Sequence, residues 1–288
     1  MKVLHVTVVG SVNLDVVATG PRLPAPGETV TGARLAHHPG GKGANQALAA
    51  SRLGCHVSLV ARVGRDANAA EALSLLRAAG VDVSAVHIDD AAATGVALIA
   101  VAPDGENQII VAPGANATFM PGHLPELRSD AILCQLELPV STVERVLSTA
   151  RGFLALNLAP AVPVPVPVLM SADLLIVNDA EAAFFGAALH RGAGLVAVTH
   201  GALGASLWRA GTQIAVATPP AIQAVDSTGA GDAFAAALTV ALVEGQPPAA
   251  ALQFACAAGA VAAAGAGAQP SLPMRAQVEA LLRRTGAA

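Results

Sequence analysis

The segment Asp226-Ser227-Thr228-Gly229-Ala230-Gly231-Asp232 opens an apolar stretch free of Gly and Pro, Ala233 to Val243, long enough for about three helical turns. The runs Ile214 to Ala217 and Ile222 to Val225 ahead of it are strand-like, so the glycines are expected where a strand turns into a helix. Backbone N–H groups at a helix start have no intrahelical partner and carry the positive end of the helix dipole. Gly229, Ala230 and Gly231 are small enough to let a phosphate or a developing oxyanion approach those groups. Asp232, in the first turn, would repel a bound phosphate unless it removes a proton from a hydroxyl that attacks that phosphate. The plainer alternative is structural: Asp226, Ser227 or Thr228 caps the helix and Asp232 complements its dipole.

A second cluster lies near the N-terminus. Gly40-Gly41-Lys42-Gly43-Ala44-Asn45-Gln46-Ala47 leads into a helical stretch, Ala44 to Leu53. It is not a Walker A loop, because Gly43 and Ala44 follow the lysine. The glycines permit close backbone approach, and Lys42 and Asn45 offer a cationic donor and an amide, a set suited to a polyhydroxylated ligand. Upstream, the apolar run Val3 to Val9 reads as a buried strand followed by Gly10-Ser11-Val12-Asn13-Leu14-Asp15. Asn13 and Asp15 share a face if that segment is extended, and one carboxylate flanked by one amide matches two vicinal hydroxyls. Singly, Asn13 and Asp15 read as turn residues and Lys42 as a surface lysine. Glu137 follows the run Ala131 to Leu136, at the strand end where ligands of open α/β sheets gather, or is an ordinary loop carboxylate. Asn178-Asp179-Ala180-Glu181 reads equally well as a helix N-cap with an acidic third residue.

These motifs, in order, resemble the ribokinase-like (PfkB) carbohydrate kinase family over nearly the whole chain. Pro26 to Gly32, Thr94 to Ile99, Gly114-Ala115-Asn116, Gln135-Leu136-Glu137 and Gly267 to Ser271 add to the match and favour ribose-phosphorylating members over fructose or nucleoside kinases. The resemblance implies a three-layer α/β/α fold with a mainly parallel sheet and a small β-sheet lid over the sugar, formed by about 12–36 and 94–112 of one domain spanning 1–288. It implies ATP-dependent phosphorylation of the primary hydroxyl of D-ribose to ribose 5-phosphate. By the same resemblance Asn13, Asp15, Gly41, Lys42, Asn45 and Glu137 hold the sugar, Asp232 is the base, and Gly229, Ala230 and Gly231 form the anion hole. Asn178 and Glu181 help position Mg²⁺, its waters and the phosphates. Thr199, His200, Gly201, Ala202, Leu203 and Gly204 hold the nucleotide, beside Gly231, Asp232 and Cys256. Asp226, Thr228, Ala262, Gly265, Gly267 and Ser271 match a site for K⁺, whose need for oxygen ligands is analogous to that of Ca²⁺. The lid also implies a homodimer. The chain departs from the family in a shorter segment between Glu181 and Thr199 and in His200 and Cys256. Two other readings stay open: a related kinase of another sugar or nucleoside, and a sugar-binding sensor without turnover.

Apolar and helical runs alternate along the chain: Val57 to Val63 then Ala67 to Ala79, Ala131 to Leu136 then Ser141 to Ala150, Phe153 to Leu158, Leu174 to Val177 then Glu181 to Leu189, and Leu195 to Thr199. That rhythm predicts a mainly parallel sheet covered by helices. With 288 residues there is ample chain for a large core. A net charge of −4 and 2% aromatic residues without Tyr give no nucleic-acid footprint. Cys55, Cys134 and Cys256 each lie in an apolar run and read as reduced thiols of a cytoplasmic protein. The Ala/Gly-rich stretch Ala249 to Ala268, interrupted by Gln253, is expected to be a packed helix and no membrane span.

Overall fold

A computed structural model describes residues 3–192 and 194–284. The elements run β1 (His5–Val9), β2 (Asn13–Thr19), β3 (Arg34–Gly40), α1 (Lys42–Arg52), β4 (His56–Gly64), α2 (Ala67–Ala72), α3 (Ser74–Ala78), β5 (Val86–Asp89), β6 (Gly95–Val101), β7 (Asn107–Ala112), β8 (Arg128–Gln135), α4 (Val140–Thr149), β9 (Arg151–Asn157), α5 (Val166–Ser171), β10 (Leu174–Asn178) and α6 (Asp179–Phe185). They continue with β11 (Leu195–Thr199), β12 (Ala205–Arg209), β13 (Thr212–Ala217), α7 (Ala230–Val243), α8 (Pro248–Ala263), α9 (Ala268–Ser271) and α10 (Arg275–Arg284).

The large sheet has the order β13-β12-β11-β10-β9-β8-β1-β4-β5. Its strands are parallel except for β12 and β13, which close one edge as antiparallel neighbours. Central strands bury both faces, so side chains alternate between two cores. Ala131 and Leu133 of β8 and Leu174 and Ile176 of β10 join a core with α1, α7 and α8. Ile132, Cys134, Leu175 and Val177 join the other, with α4 and α5. This two-sided burial is why these strands read as continuous apolar runs, and it makes three layers. A separate four-stranded sheet, β3-β2-β6-β7, pairs β2 with β6 in parallel and its other neighbours antiparallel.

Several expected boundaries shift. Residues 222–225 form no strand: β13 ends at Ala217, and Pro219 and Pro220, which lack the N–H a ladder needs, follow at once. The helix into which the glycines lead is therefore entered from an irregular segment. The stretch Ala67 to Ala79 is broken at Leu73 into α2 and α3. The Glu181 to Leu189 stretch is α-helical only to Phe185, because Gly186 adopts φ 54° and a 3₁₀ turn follows. β3 runs on through Gly40, beyond the expected lid boundary, and passes directly into α1. Among the described residues, no helix is long and apolar enough to cross a membrane.

Glycines 10 and 43 mark where β1 and α1 meet. A Cβ on Gly43 would stand 2.5 Å from the Gly10 carbonyl carbon and the Ser11 nitrogen. Backbone packs on backbone there, so this glycine serves helix docking. G43A is expected to cost about 1–3 kcal/mol through overpacking. Chemical denaturation would read that loss, and an unchanged midpoint would show that the two segments yield easily.

Candidate active site

The start of α7 is built around Gly229, whose left-handed conformation (φ 80°, ψ −7°) suits a residue without a Cβ. No side chain caps this helix, so the alternative in which Asp226, Ser227 or Thr228 serves as its cap does not hold. Ala230 N–H is taken by the Ser227 carbonyl at 3.1 Å, and the Ala233 N–H bonds the Gly229 carbonyl at 2.9 Å. Between them the N–H groups of Gly231 and Asp232 are the helix's orphan donors. No atom lies within 4 Å of where a Cβ on Gly231 would stand.

Asp232, only 7% exposed, lies one residue further on. Asn45 Nδ2 donates to its Oδ2 at 2.9 Å and Gln46 Nε2 to its Oδ1 at 2.9 Å, both from α1. Gln46 Nε2 also donates to Asn157 Oδ1 at 3.0 Å, while Gln46 Oε1 accepts from Gln135 Nε2 at 2.5 Å. α1 thus holds the carboxylate at the C-terminal edge of the large sheet, where β8 and β9 end.

The sugar-side candidates converge on the same edge. Glu137 Oε2 accepts from the Ser11 hydroxyl and, at 3.1 Å, from the Lys42 backbone N–H. Asn116 clamps the entry to β2: its amide bonds both backbone groups of Val12, and its Nδ2 donates to Asn13 Oδ1 at 2.8 Å. That occupies the Asn13 oxygen and fixes its amide. Burial, then the carboxylates of Glu137 and Asp232, push the Asp15 carboxyl up to about 6. Burial draws the Lys42 ammonium down, but Asp232, Glu137 and Glu181 outweigh it and hold Lys42 above its ordinary value. Lys42 is therefore a cation surrounded by three acids, and Asp15 faces two of them.

Asn178 and Glu181 form the reciprocal cap foreseen as the structural alternative, with Glu181 N–H donating to Asn178 Oδ1 and Asn178 N–H to Glu181 Oε2, each at 2.8 Å. Glu181 Oε1 is not used in that cap. Burial lifts the Glu181 carboxyl against the Asn178 bond and the Lys42 charge. Asn178 pairs in register with Thr199, which places the loop Thr199 to Gly204 beside it. In that loop His200 Nδ1 contacts Asp179 Oδ1 at 2.6 Å and Nε2 contacts Ser206 Oγ at 2.9 Å. Leu203 is largely exposed. Cys256 lies buried on α8 with its Sγ 3.8 Å from the Ala217 carbonyl, and burial pushes its thiol up to about 12. Cys134 is buried, Cys55 half-buried, and all three cysteines are free.

Asp226 joins two loops. Its Oδ1 accepts from Thr228 N–H at 2.9 Å and Thr228 Oγ1 at 2.7 Å, and its Oδ2 from Gly267 N–H at 2.9 Å. Burial opposes it, yet these bonds, with His38 nearby, hold the carboxyl below its ordinary value. Ser271 Oγ donates to the Gly267 carbonyl at 2.6 Å, and the Ala262 carbonyl accepts from Gly265 N–H at 3.1 Å. The six candidate cation-site residues are Asp226 and Thr228 just ahead of α7, Ala262 in the last turn of α8, Gly265 and Gly267 in the loop after it, and Ser271 at the end of α9. Sequence reasoning passed over Gln46, Gln135, Asn157, Ser11 and Asn116 as site residues. All but Asn157 stand inside the motifs quoted above.

The comparisons with known proteins give the family and the fold. Residues 3–275 match the model of the pfkB family carbohydrate kinases, and the chain belongs to that family. It is 36% identical over 292 residues to the ribokinase of Bacillus subtilis, covering 96% of this chain and 99% of that protein. The crystal structure of ribokinase from Thermotoga maritima superposes with a TM-score of 0.89 at 32% identity, covering 97% of this chain and 99% of that one. Arabidopsis thaliana ribokinase, solved in complex with ribose and ATP, gives a TM-score of 0.84 at 32% identity, covering 98% and 99%.

Proposed function

We propose that this chain transfers the γ-phosphoryl group of ATP to the primary hydroxyl of D-ribose, giving ribose 5-phosphate and ADP. The observation that carries the reading is the junction at the N-terminal end of α7, where a buried carboxylate adjoins two backbone N–H groups without a helix partner and no atom stands near a Cβ built on Gly231. Asn13, Asp15, Gly41, Lys42, Asn45 and Glu137 bind the sugar. Asp232 accepts the proton of the attacking hydroxyl as its oxygen bonds to phosphorus, and the bond to the bridging oxygen of ADP breaks. The Gly229-Ala230-Gly231 turn forms the anion hole, and its free donors, the backbone N–H groups of Gly231 and Asp232, receive charge developing on the transferring group, the Ala230 N–H being held by the Ser227 carbonyl. Thr199 to Gly204 hold the nucleotide, near Cys256.

Magnesium in such sites is held by one or two carboxylates together with substrate phosphates. Glu181 fits that need through the oxygen its cap leaves unused, and Asn178 fixes its rotamer. Mg²⁺ there supplies neutralisation of phosphate charge. For K⁺ the donor set also fits: Asp226, the Thr228 and Ser271 hydroxyls, and the carbonyls of Ala262, Gly265 and Gly267 offer only oxygen. The exposed apolar side chains of the small sheet, among them Leu35 at 67% and Ile110 at 69%, support a homodimer formed through this lid. A monomer in sedimentation at assay concentration would remove that part. The reduced thiols support a cytoplasmic setting.

The test is coupled ADP release with Mg²⁺-ATP, comparing D-ribose with 2-deoxyribose, fructose, adenosine and no sugar, each in K⁺, Na⁺ or a large organic cation. Selective turnover of ribose, stimulated by K⁺, is expected. Selective turnover of another acceptor would move the specificity, ribose binding without ADP release would indicate a sensor, and equal rates in all cations would dismiss the K⁺ site.

A further inference from the structure

Asp232 is not an isolated carboxylate but the end of a buried chain of side-chain amides that begins at the main chain of β10. Asn157 Nδ2 donates to the Ile176 carbonyl at 3.2 Å, which turns Asn157 Oδ1 toward Gln46. Gln46 Nε2 spends its two protons on Asn157 Oδ1 at 3.0 Å and Asp232 Oδ1 at 2.9 Å. Its Oε1 accepts from Gln135 Nε2. Gln46 and Gln135 are fully buried, and Asn157 is 7% exposed. Both ends of the chain are acceptors only, a carbonyl and a carboxylate, so the direction of every amide is determined. Gln46 alone touches all three other members.

Gln135 carries a cost for taking part. Its Oε1 is buried without a hydrogen-bond partner and lies against Gly10, where a Cβ would stand 2.1 Å from it. A buried carbonyl left unpaired is the kind of local loss that natural folds retain at functional sites. Asn45 makes a contrast. It also donates to Asp232, but its own Oδ1 has no partner, so nothing further fixes which way its amide points.

We propose that Gln46 is the positioning residue of the catalytic base, holding the Asp232 carboxylate in one rotamer through an amide chain anchored by Asn157 and Gln135. This rests on the reading of Asp232 as the base. A carboxylate pinned at Oδ1 by Gln46 and at Oδ2 by Asn45 cannot rotate without breaking a charge-assisted bond, so its remaining lone pairs keep one direction. Donors to a carboxylate also favour the ionised form. Removing the Gln46 donor is therefore expected to move the acidic limb of kcat upward. Among the described residues, the charged groups that act on Asp232 are Lys42 at the start of α1 and Asp15 on β2, with Glu137 beyond β8 acting through both and Glu181 on α6 through Lys42; α8, packed along α7, carries no charged residue.

The experiment measures kcat, KM and the pH profile of kcat for Q46M, Q46E, N157A and D232N, with ribose and ATP binding by calorimetry as a check on folding. Q46M keeps the volume and loses the donor. It is expected to lower kcat about 10- to 100-fold, leave both affinities within about threefold, and move the acidic limb of kcat upward by about one pH unit, the direction given by the lost donor. Q46E sets a carboxylate against a carboxylate, and should move that limb further and regain rate at alkaline pH. N157A should move it the same way by less, and it decides the matter if the Gln46 variants do not fold. Variants that lose stability but keep the wild-type limb and kcat would overturn the proposal and leave the chain a packing feature. The base assignment is judged separately by D232N: if that variant turns over normally the base reading fails, and if it is inactive while Q46M and Q46E behave as wild type only the role of Gln46 fails.

Discussion

D232N is expected to fold, bind D-ribose within a few-fold of the wild type, and lose about 10²- to 10⁴-fold in kcat, the usual worth of a placed base. The structure explains why binding and folding should survive. The new amide would present a donor to one of the two amides that donate to Asp232. Asn45 can answer by turning its own amide over, because its Oδ1 is buried without a partner and would then accept the new N–H. Gln46 has no such freedom, since all its groups are engaged. Steady-state kinetics with calorimetric ribose titration checks this, and near-normal turnover would take the base role from Asp232.

The second large effect is expected at Asp15, where function and stability oppose each other. Its carboxyl, 9% exposed, is raised from 3.8 to about 6 by burial, then Glu137 and Asp232. The folded state therefore binds the proton more tightly than the unfolded chain does. That contribution to stability is complete below pH 4, falls as the pH rises through the window from about 4 to 6, and is gone at neutral pH. D15N removes a charge that the unliganded site disfavours and should stabilise the protein at pH 7 by the order of 1–3 kcal/mol. The same change removes a charged acceptor for sugar hydroxyls, worth about 1.5–3 kcal/mol per bond, so ribose affinity should fall about 10- to 100-fold. Wild-type ribose affinity should likewise weaken as the pH drops below about 6. Denaturation midpoints paired with ribose titrations across pH 5 to 8 decide it. Unchanged affinity would mean that Asp15 does not hold the sugar.

The parts of this molecule visible in sequence are those whose cause is local. β8 and β10 read as strands because both of their faces are buried, and α1 and α7 because long runs contain no breaker. Residues 222–225 have strand composition too, but pairing needs a neighbour, and Pro219 and Pro220 carry the chain off the sheet first. Gly43 looked like a place for ligand approach, and its neighbour is the Gly10 and Ser11 backbone. Asp226 looked like a cap or a cation ligand, and what its carboxylate holds is a loop 41 positions away, through Gly267. Asn157 carried no signal at all. A lone Asn at a strand end acquires meaning only from Gln46, 111 positions distant, and no spacing rule spans that interval.

Trp208 offers a way to watch this protein work. It is the single tryptophan of a chain without tyrosine, so its emission has no competing background. Its indole Nε1 donates to Ser206 Oγ at 2.9 Å, the same oxygen that contacts His200 in the loop Thr199 to Gly204. The chain thus carries one indole, hydrogen-bonded one step from the loop proposed to receive ATP and on a different strand from every residue proposed to hold the sugar. With the nucleotide in that loop, a change in Trp208 emission is expected on adding ATP, without a dye or a label, and none on adding ribose alone.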